Sequence, residues 1–267
     1  MSGKVIVITS GKGGVGKTTT TANLGMALAA RGKSVVLVDA DFGLRNLDLL
    51  LGLENRVVYT VLEVLSGDCR MEQALVRDKR QTSLALLPAA QTRDKSAITP
   101  EQMKEITGRL SETFDYVLVD CPAGIEQGFR NAIAGAEQAI VVTTPEVSAV
   151  RDADRIIGLL ESAGLKGPRL ILNRYRPQMV EAKDMMSVED VLEILAVKLL
   201  GLIPEDEQVI VTTNRGEPIV LAANPPPAGQ AYLNIARRLE GEDVPILEFK
   251  VPNNGFMAKI RALFSGR

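Results

Sequence analysis

Short runs of β-branched and aliphatic residues alternate along the chain with longer segments whose apolar residues recur every three or four positions. The short runs predict strands at residues 5–9, 34–38, 84–87, 116–119, 139–143, 169–172 and 199–203. The longer segments predict helices at 18–31, 100–113, 150–163, 188–197 and 228–240. Apolar strands separated by helices are typical of parallel β-α-β units. We therefore expect an α/β fold with a single doubly wound, mostly parallel sheet and helices on both faces.

The composition is consistent with that architecture. The chain has 267 residues, which suits one large α/β domain or two small ones. Hydrophobic residues make up 46% of the chain but aromatic residues only 4%, so the core must be built mainly from aliphatic side chains. No apolar run approaches the roughly 18 residues of a membrane-spanning helix. The first residues lead directly into a predicted strand, so we expect no signal peptide.

The residue types limit the chemistry that the protein can perform. The sequence has no histidine, which excludes a Ser-His-Asp triad and acid–base catalysis by imidazole. Its two cysteines, Cys69 and Cys121, cannot form a four-thiolate zinc site within one chain or a disulfide framework, which favours a cytosolic protein. The formal net charge of −2 gives no general attraction to nucleic acid, so no nucleic-acid partner is expected.

Residues 11–18 read GKGGVGKT, a full match to the phosphate-binding pattern G-x-x-x-x-G-K-[ST]. A predicted strand precedes the motif and a predicted helix follows it, which is the context that phosphate binding needs. Glycines allow backbone N–H groups and the helix N-terminus to approach a phosphate, while the lysine reaches the β- and γ-phosphates and the threonine hydroxyl binds Mg²⁺. The predicted nucleotide-binding residues are Gly11, Lys12, Gly13, Gly14, Val15, Gly16, Lys17, Thr18 and Thr19.

Aspartates follow two of the predicted strands. Asp39 and Asp41 come after strand 34–38, and Asp120 comes after strand 116–119. Open α/β sheets bind their ligands at the carboxyl ends of the strands, where these side chains should meet. An aspartate after an apolar strand is also the Walker B pattern, which serves Mg²⁺. Because the chain has no histidine, a carboxylate is the obvious group to position water. Taken alone, each aspartate could instead cap a helix or stabilise a turn.

A second lysine, Lys12, lies inside the phosphate loop, although phosphate binding does not require it. With this lysine the sequence resembles the MinD/ParA family of deviant Walker A P-loop ATPases, in which KGGxGKT carries a signature lysine. The resemblance implies a homodimer that encloses ATP, with Lys12 of one subunit reaching the phosphates held by the other. It also implies that Asp41 orients or deprotonates the attacking water. The implied catalytic residues are Lys12, Lys17 and Asp41, and the implied Mg²⁺ residues are Thr18, Asp39 and Asp120.

Longer segments extend the resemblance over essentially the whole chain. They include DADFGLRNLDLLLG at 39–52, DCPAGIE at 120–126 and TTPEVSAVRDADRI at 143–156, which are most similar to family members that place bacterial division sites. The resemblance implies two partners, the division inhibitor MinC and, where it is present, MinE as a stimulator of otherwise slow hydrolysis. It implies that Glu146 approaches the nucleotide from the partner subunit. The residues implied to lie near adenine are Asn173, Pro204, Glu205 and Asp206.

The C-terminal residues 253–267 have an amphipathic pattern. At about 100° per residue, the five large apolar side chains fall within an arc of about 120°, and two cations flank that arc. Such a helix suits a membrane interface, with apolar side chains among the acyl chains and cations on anionic headgroups. A terminal helix docked on the domain would show the same pattern, but the family resemblance favours the membrane. The predicted membrane-contacting residues are Phe256, Met257, Lys259, Ile260, Arg261, Leu263 and Phe264.

These observations divide the chain into a P-loop ATPase domain at 1–241, a linker at 242–252 and a membrane-targeting helix at 253–267. We expect a protein of the cytoplasm and of the cytoplasmic face of the inner membrane. Two rivals within the family are a ParA-like DNA-segregation ATPase, which would need a basic surface, and a flagellar-placement ATPase. An iron–sulfur carrier would need two thiolates per subunit to bridge a cluster, and Cys69 lies outside any cysteine pair.

Overall fold

Eight strands pair into one sheet in the computed structural model, which describes residues 2–91 and 98–249. The strands are β1 Lys4–Thr9, β2 Val35–Asp39, β3 Val76–Arg77, β4 Leu84–Leu87, β5 Tyr116–Asp120, β6 Gln138–Thr143, β7 Arg169–Tyr175 and β8 Lys198–Pro204. Their order across the sheet is β3-β4-β2-β5-β1-β6-β7-β8, and every neighbouring pair is parallel except β3 with β4. The predicted fold class is confirmed, and all seven predicted strands are present. The short antiparallel β3 was not predicted.

Helices cover both faces of this sheet. They are α1 Lys17–Ala30, α2 Leu47–Leu50, α3 Val61–Ser66, α4 Met71–Ala74, α5 Pro100–Ser111, α6 Gln127–Ile133, α7 Val147–Ser162, α8 Pro177–Glu181, α9 Val188–Leu195, α10 Glu207–Asn214 and α11 Pro227–Leu239. The five predicted helices correspond to α1, α5, α7, α9 and α11. Most of the others span only one or two turns, which is too short for a helical periodicity to stand out. Within the described ranges, no helix is long and apolar enough to cross a membrane.

Side-chain hydrogen bonds fix where several helices begin. At α5, Thr99 accepts from the backbone N–H of Gln102, and the Gln102 side chain accepts in return from the N–H of Thr99. Ser187 and Asp190 form the same reciprocal pair at the start of α9. Such capping boxes satisfy N–H groups that the first turn of a helix leaves without intrahelical partners. The start of α1 differs, because its N-cap is a glycine that forms no side-chain cap.

The central strands are buried on both faces, as their continuous apolar sequences require. On β1, Val5 and Val7 belong to the core layer beneath α5 and α7, whereas Ile6 and Ile8 belong to the layer beneath α1 and α11. This alternation follows from the two-residue period of a strand. Since β1, β2 and β5 are neighbouring parallel strands, the loops that follow their carboxyl ends meet at the same edge of the sheet.

Residues 242–249, here called the C-terminal strap, pack against the domain. Val244 is buried; Ile246 and Phe249 contact the α5–α7 layer, and Leu247 contacts the α1–α11 layer. A segment whose side chains reach both layers must pass around the perimeter of the sheet. The structure therefore differs from the predicted linker over these residues, because apolar side chains between the acidic and proline residues hold them on the domain. Residues 250–252 and the predicted membrane helix at 253–267 lie outside the described residues.

One arginine holds the strap at β8. The Arg238 guanidinium donates hydrogen bonds to the carbonyl oxygens of Val244 at 2.7 Å, Pro245 at 2.6 Å and Leu200 at 2.9 Å. Leu200 lies on β8, the last strand of the sheet. A guanidinium presents five donors in a rigid fork and can satisfy several acceptors at once. Arg238 thus joins the end of α11, the strap and the last strand.

Candidate nucleotide-binding site

The loop between β1 and α1 has the backbone that a phosphate cradle needs. Gly16, the N-cap of α1, has a φ of 93°, and a Cβ there would lie 2.2 Å from the amide nitrogen of Asn173. A Cβ on Gly11 would lie 2.3 Å from the backbone oxygen of Asp152. Both positions therefore exclude a side chain. The Asn173 amide donates to the Val15 carbonyl at 2.8 Å and fixes the loop against the end of β7.

Lys17 and Asp120 form a buried ion pair beneath this loop. The Lys17 ammonium donates to Oδ1 of Asp120 at 3.1 Å, and the side chains are 7% and 1% exposed. Burial alone lowers the pKa of Lys17, but the Asp120 charge and hydrogen bond outweigh this effect and raise the pKa above 10.5. Lys17 is therefore a cation at neutral pH, held at the base of the loop.

Asp39 and Asp120 lie side by side at the ends of β2 and β5, where they are register partners. The two carboxylate oxygens of Asp39 accept from the backbone N–H groups of Asp41 at 2.9 Å and Leu47 at 3.4 Å. Burial, followed by the negative charge of Asp120, raises the pKa of Asp39 to about 8. The hydrogen bond from the Asp41 N–H to Asp39 also fixes the Asp41 backbone beside Asp39. The three predicted aspartates therefore lie at one edge of the sheet.

Lys12 is on the outer side of the loop. Its ammonium lies 3.7 Å from the carboxylate of Glu146 and 3.4 Å from the hydroxyl of Ser148, at the start of α7. Side-chain exposures of 45% and 57% make Lys12 and Glu146 a surface pair. The sequence predicted that Lys12 acts across a dimer interface; within one chain it contacts the residue that was implied to approach the partner's nucleotide.

A groove adjoins the phosphate loop on the side of β7 and β8. Arg174, which immediately follows Asn173, has a φ of 57°, a left-handed conformation that is uncommon outside glycine. The pairing of β7 with β8 is irregular at this position. Irregular backbone of this kind is frequent at ligand sites. The groove brings together the four residues implied to bind adenine, Asn173, Pro204, Glu205 and Asp206, with Gly16 of the loop, Thr19 of α1, Arg174 of β7 and Tyr232 of α11.

These features fit a nucleotide with Mg²⁺. The left-handed Gly16 and the uncapped start of a 14-residue helix suit an anionic phosphate. Two adjacent buried carboxylates, one with a pKa of about 8, suit a divalent cation that binds oxygen ligands. Among the described residues, no cluster of three or more His, Cys, Asp or Glu side chains could hold a metal alone. A cation at Asp39 and Asp120 would therefore need further oxygens, which the Thr18 hydroxyl, phosphates and water can supply.

The structure brings most of the predicted site residues together and adds one that sequence reasoning missed. The phosphate loop, Asp39, Asp41 and Asp120 share one edge of the sheet, and the adenine candidates line the adjoining groove. The missed residue is Thr21, whose hydroxyl contacts Asp120 Oδ1 at 3.0 Å. Its position four residues after Lys17 puts both side chains on one face of α1, so helical spacing was a usable signal.

Comparison with known proteins agrees with this geometry. Residues 6–219 match the family described as the CobQ/CobB/MinD/ParA nucleotide binding domain. Together with the parallel sheet and the phosphate loop, this match defines a P-loop nucleotide-binding domain.

Similar proteins narrow the assignment. The putative septum site-determining protein MinD of Guillardia theta is 62% identical over 98% of both chains. The septum site-determining protein MinD of Synechocystis is 59% identical over 98% of this chain and 99% of its own length. The MinC:MinD cell division protein complex of Aquifex aeolicus contains a similar structure, with 52% identity, a TM-score of 0.84 and coverage of 93% of this chain and 100% of that one. MinD of Pyrococcus horikoshii complexed with Mg-ADP is 34% identical, with a TM-score of 0.80 and coverage of 89% and 96%. The chain belongs to the MinD/ParA family and, within it, to the septum site-determining MinD group.

Proposed function

We propose that this protein is a Mg²⁺-dependent ATPase of division-site placement, which dimerises on ATP, binds the cell membrane and recruits MinC. The observation that carries the proposal is the convergence of the phosphate loop with Asp39, Asp41 and Asp120 at one edge of the sheet. That convergence occurs in a chain more than half identical over nearly its whole length to septum site-determining proteins. A relative of this group is described with Mg-ADP.

Each side chain of the site has a defined task under this proposal. Mg²⁺–ATP, when bound, supplies the transferable phosphoryl group and a cation that offsets its charge. The loop N–H groups and Lys17 hold the phosphates, and Thr18, Asp39 and Asp120 hold the metal. Asp41 orients or deprotonates the attacking water, since a carboxylate is the available base in a chain without histidine. Asn173, Pro204, Glu205 and Asp206 provide the groove for adenine.

The surface around the loop supports the proposed dimerisation. Leu44, Ile125 and Val147 are 66%, 40% and 67% exposed, and each follows the carboxyl end of a central strand. Apolar side chains exposed around a charged site are typical of a surface that binds a partner. The contact between Lys12 and Glu146 is a surface ion pair, worth about 0–1 kcal/mol, so Lys12 can leave it at little cost. A second copy then presents phosphates to the freed ammonium.

Analytical ultracentrifugation tests the dimer. Wild-type protein should dimerise with ATP and Mg²⁺ but stay monomeric with ADP. Lys12→Ala should remain monomeric while keeping most of its ATP affinity, because Lys17 and the loop still hold the phosphates. Lys166→Ala, which removes an exposed lysine from the loop after α7, is the matched control and should dimerise normally. An ATP-dependent dimer of Lys12→Ala would refute the role of the lysine.

Membrane binding rests on residues 253–267, outside the described part of the chain. Five apolar side chains contribute about 10 kcal/mol gross at about 1.5–3 kcal/mol each. Ordering a segment of this length costs about 1–2 kcal/mol per residue, which leaves a single tail marginal. Two tails joined in a dimer gain about 10²–10⁴ in avidity. ATP binding should therefore attach the protein to the cytoplasmic face of the inner membrane, and hydrolysis should release it.

Sedimentation with vesicles tests this switch. With anionic phosphatidylglycerol vesicles, the wild-type protein should pellet with ATP and stay in the supernatant with ADP or without nucleotide. A chain ending at residue 252 should fail to pellet but keep ATP-dependent dimerisation. Phosphatidylcholine vesicles are the lipid control and should bind weakly, because Lys259 and Arg261 favour anionic headgroups. Equal pelleting under all nucleotide conditions would refute the switch.

Partner recruitment distinguishes this function from a DNA-segregation ATPase. The protein should bind MinC in the presence of ATP, as the MinC:MinD complex of a relative suggests, and MinE, where present, should accelerate hydrolysis. A ParA-like function requires salt-sensitive, ATP-dependent DNA binding, which the net charge of −2 does not favour. Co-purification with MinC and an electrophoretic DNA-binding assay at low salt separate the two functions.

A further inference from the structure

Thr21 lies beside the buried contact between Lys17, the lysine of the phosphate loop, and Asp120, the Walker B carboxylate. Its hydroxyl is 3.0 Å from Asp120 Oδ1 and 3.1 Å from the backbone carbonyl oxygen of Lys17, one helical turn earlier. The same Asp120 oxygen accepts from the Lys17 ammonium at 3.1 Å. Thr21 is fully buried, and neither Lys17 nor Asp120 is more than 7% exposed. Oδ1 of Asp120 therefore has two donors, the Thr21 hydroxyl and the Lys17 ammonium, and only the ammonium can move to a phosphate.

The hydroxyl of Thr21 has one proton and two acceptors within reach. While the Lys17 ammonium bonds to Asp120, the hydroxyl can donate to the Lys17 carbonyl, a common bond for threonine inside a helix. When the ammonium leaves, the same oxygen can donate to Asp120 without a change of rotamer. A buried carboxylate that loses a charged donor is unfavourable unless another donor replaces it. Thr21 supplies that replacement.

We propose that Thr21 is a positioning residue for Asp120, whose hydroxyl holds Oδ1 in place while Lys17 moves from the carboxylate to the nucleotide phosphates. This inference rests on the proposed function, because it requires a nucleotide with Mg²⁺. With Oδ1 held by Thr21, Oδ2 of Asp120 keeps one orientation toward the metal or its water shell. A fixed carboxylate binds a cation more tightly than one that must first be ordered.

The neighbouring threonines make the assignment specific. Thr20 is equally buried, but its hydroxyl faces Tyr232 at 3.4 Å on the other side of α1. Thr107 on α5 reproduces the local geometry of Thr21 without a carboxylate, since its hydroxyl donates to the carbonyl of Met103, four residues earlier, at 2.9 Å. Thr107→Val is therefore a matched control that removes a buried, helix-bonded hydroxyl outside the candidate site.

The test measures the binding of fluorescent mant-ADP to the full chain, first in EDTA and then across a Mg²⁺ series. Thr21→Val and Thr21→Ala should bind mant-ADP more weakly than the wild type in EDTA, because Lys17 leaves Asp120 for the phosphates there too and the buried carboxylate is left without a donor. The Mg²⁺ concentration that gives half of the maximal gain in mant-ADP affinity should be about tenfold higher for these two variants than for the wild type. This is the effect expected from the loss of one hydrogen bond to a charged group. Thr21→Ser restores the hydroxyl and should stay within about twofold of wild type. Thr107→Val should match wild type even if its melting temperature falls.

Three outcomes would overturn the proposal. Wild-type Mg²⁺ dependence in both variants that lack the hydroxyl would show that Asp120 does not need it. An equal loss of mant-ADP affinity with and without Mg²⁺, unrelieved by Thr21→Ser, would assign Thr21 to packing alone. A wild-type protein with no Mg²⁺-dependent nucleotide binding would overturn the proposed function itself, and the role of Thr21 with it.

Discussion

Replacing Asp39 by asparagine should stabilise the nucleotide-free protein at alkaline pH, although it removes a predicted metal ligand. Asp39 is 1% exposed and lies beside Asp120, and burial raises its pKa from 3.8 to about 8. An acid whose pKa rises on folding binds more protons in the native state than in the unfolded chain. The free energy of unfolding therefore falls as pH increases between those two values. A neutral amide at this position removes that dependence.

The expected magnitude follows from the pKa and from the hydrogen bonds. A change from 3.8 to about 8 corresponds to about 5–6 kcal/mol once the carboxylate is ionised. Asparagine keeps one acceptor oxygen, but its NH₂ group must oppose one of the two N–H groups, from Asp41 and Leu47, that donate to Asp39. That mismatch costs about 1–2 kcal/mol. The variant should be nearly as stable as wild type at about pH 5 and about 3–4 kcal/mol more stable at about pH 8.5.

Urea unfolding in EDTA across this pH range measures the effect. Far-UV circular dichroism is the suitable signal because the chain has no tryptophan. Asp115→Asn is a control in which the pH dependence of stability should have the opposite sign. Hydrogen bonds from the N–H and hydroxyl of Ser34 lower the pKa of Asp115, whereas the pKa of Asp39 is raised. This control should lose stability relative to wild type as pH rises through the acid range. If Asp39→Asn and wild type differ by the same amount at every pH, the pKa of Asp39 is not raised and the reasoning fails.

Other perturbations probe separate parts of the molecule. Arg238→Ala should lower the free energy of unfolding by about 1–3 kcal/mol and speed amide hydrogen exchange in residues 244–249. Arg238→Lys should restore little of that stability, because an ammonium lacks the guanidinium fork. Gly16→Ala should abolish ADP binding in calorimetry, because its φ is 93° and a Cβ would collide with Asn173. A thiol reagent should modify Cys69 but not Cys121 in the folded protein, since burial raises the pKa of Cys121 to about 12; modification of both would contradict the fold at β5.

The sequence predicted the strands and the phosphate loop well because each has a strong local signal. Continuous apolar runs mark strands buried on both faces, and the complete glycine–lysine motif defines its own backbone. The two-residue strand β3 has no such signal, since Val76 and Arg77 pair with β4 only after the chain has folded back. The strap escaped prediction for a related reason. Its three acids and one proline favoured a linker, whereas its four apolar side chains find partners only in the folded domain.

The site was predictable as a set of residues but not as a set of contacts. Strand ends placed Asp39 and Asp120 at one edge, yet the Lys17–Asp120 ion pair depends on the depth of α1 against the sheet. Lys12 was expected to reach a second subunit, and its contact with Glu146 requires the position of α7 relative to the loop. Such distances arise from tertiary packing, which the pattern of residues along the sequence does not determine.

The strap at β8 also bears on how the molecule avoids unwanted association. An open outer strand offers backbone groups to other copies of a protein for intermolecular pairing. On the β8 side of the sheet, Arg238 donates a hydrogen bond to the Leu200 carbonyl and holds the strap nearby through Val244 and Pro245. On the opposite side, the sheet ends in β3, which has only two residues. One backbone carbonyl of β8 is therefore already bonded within the chain, and β3 is too short to template the addition of a long strand.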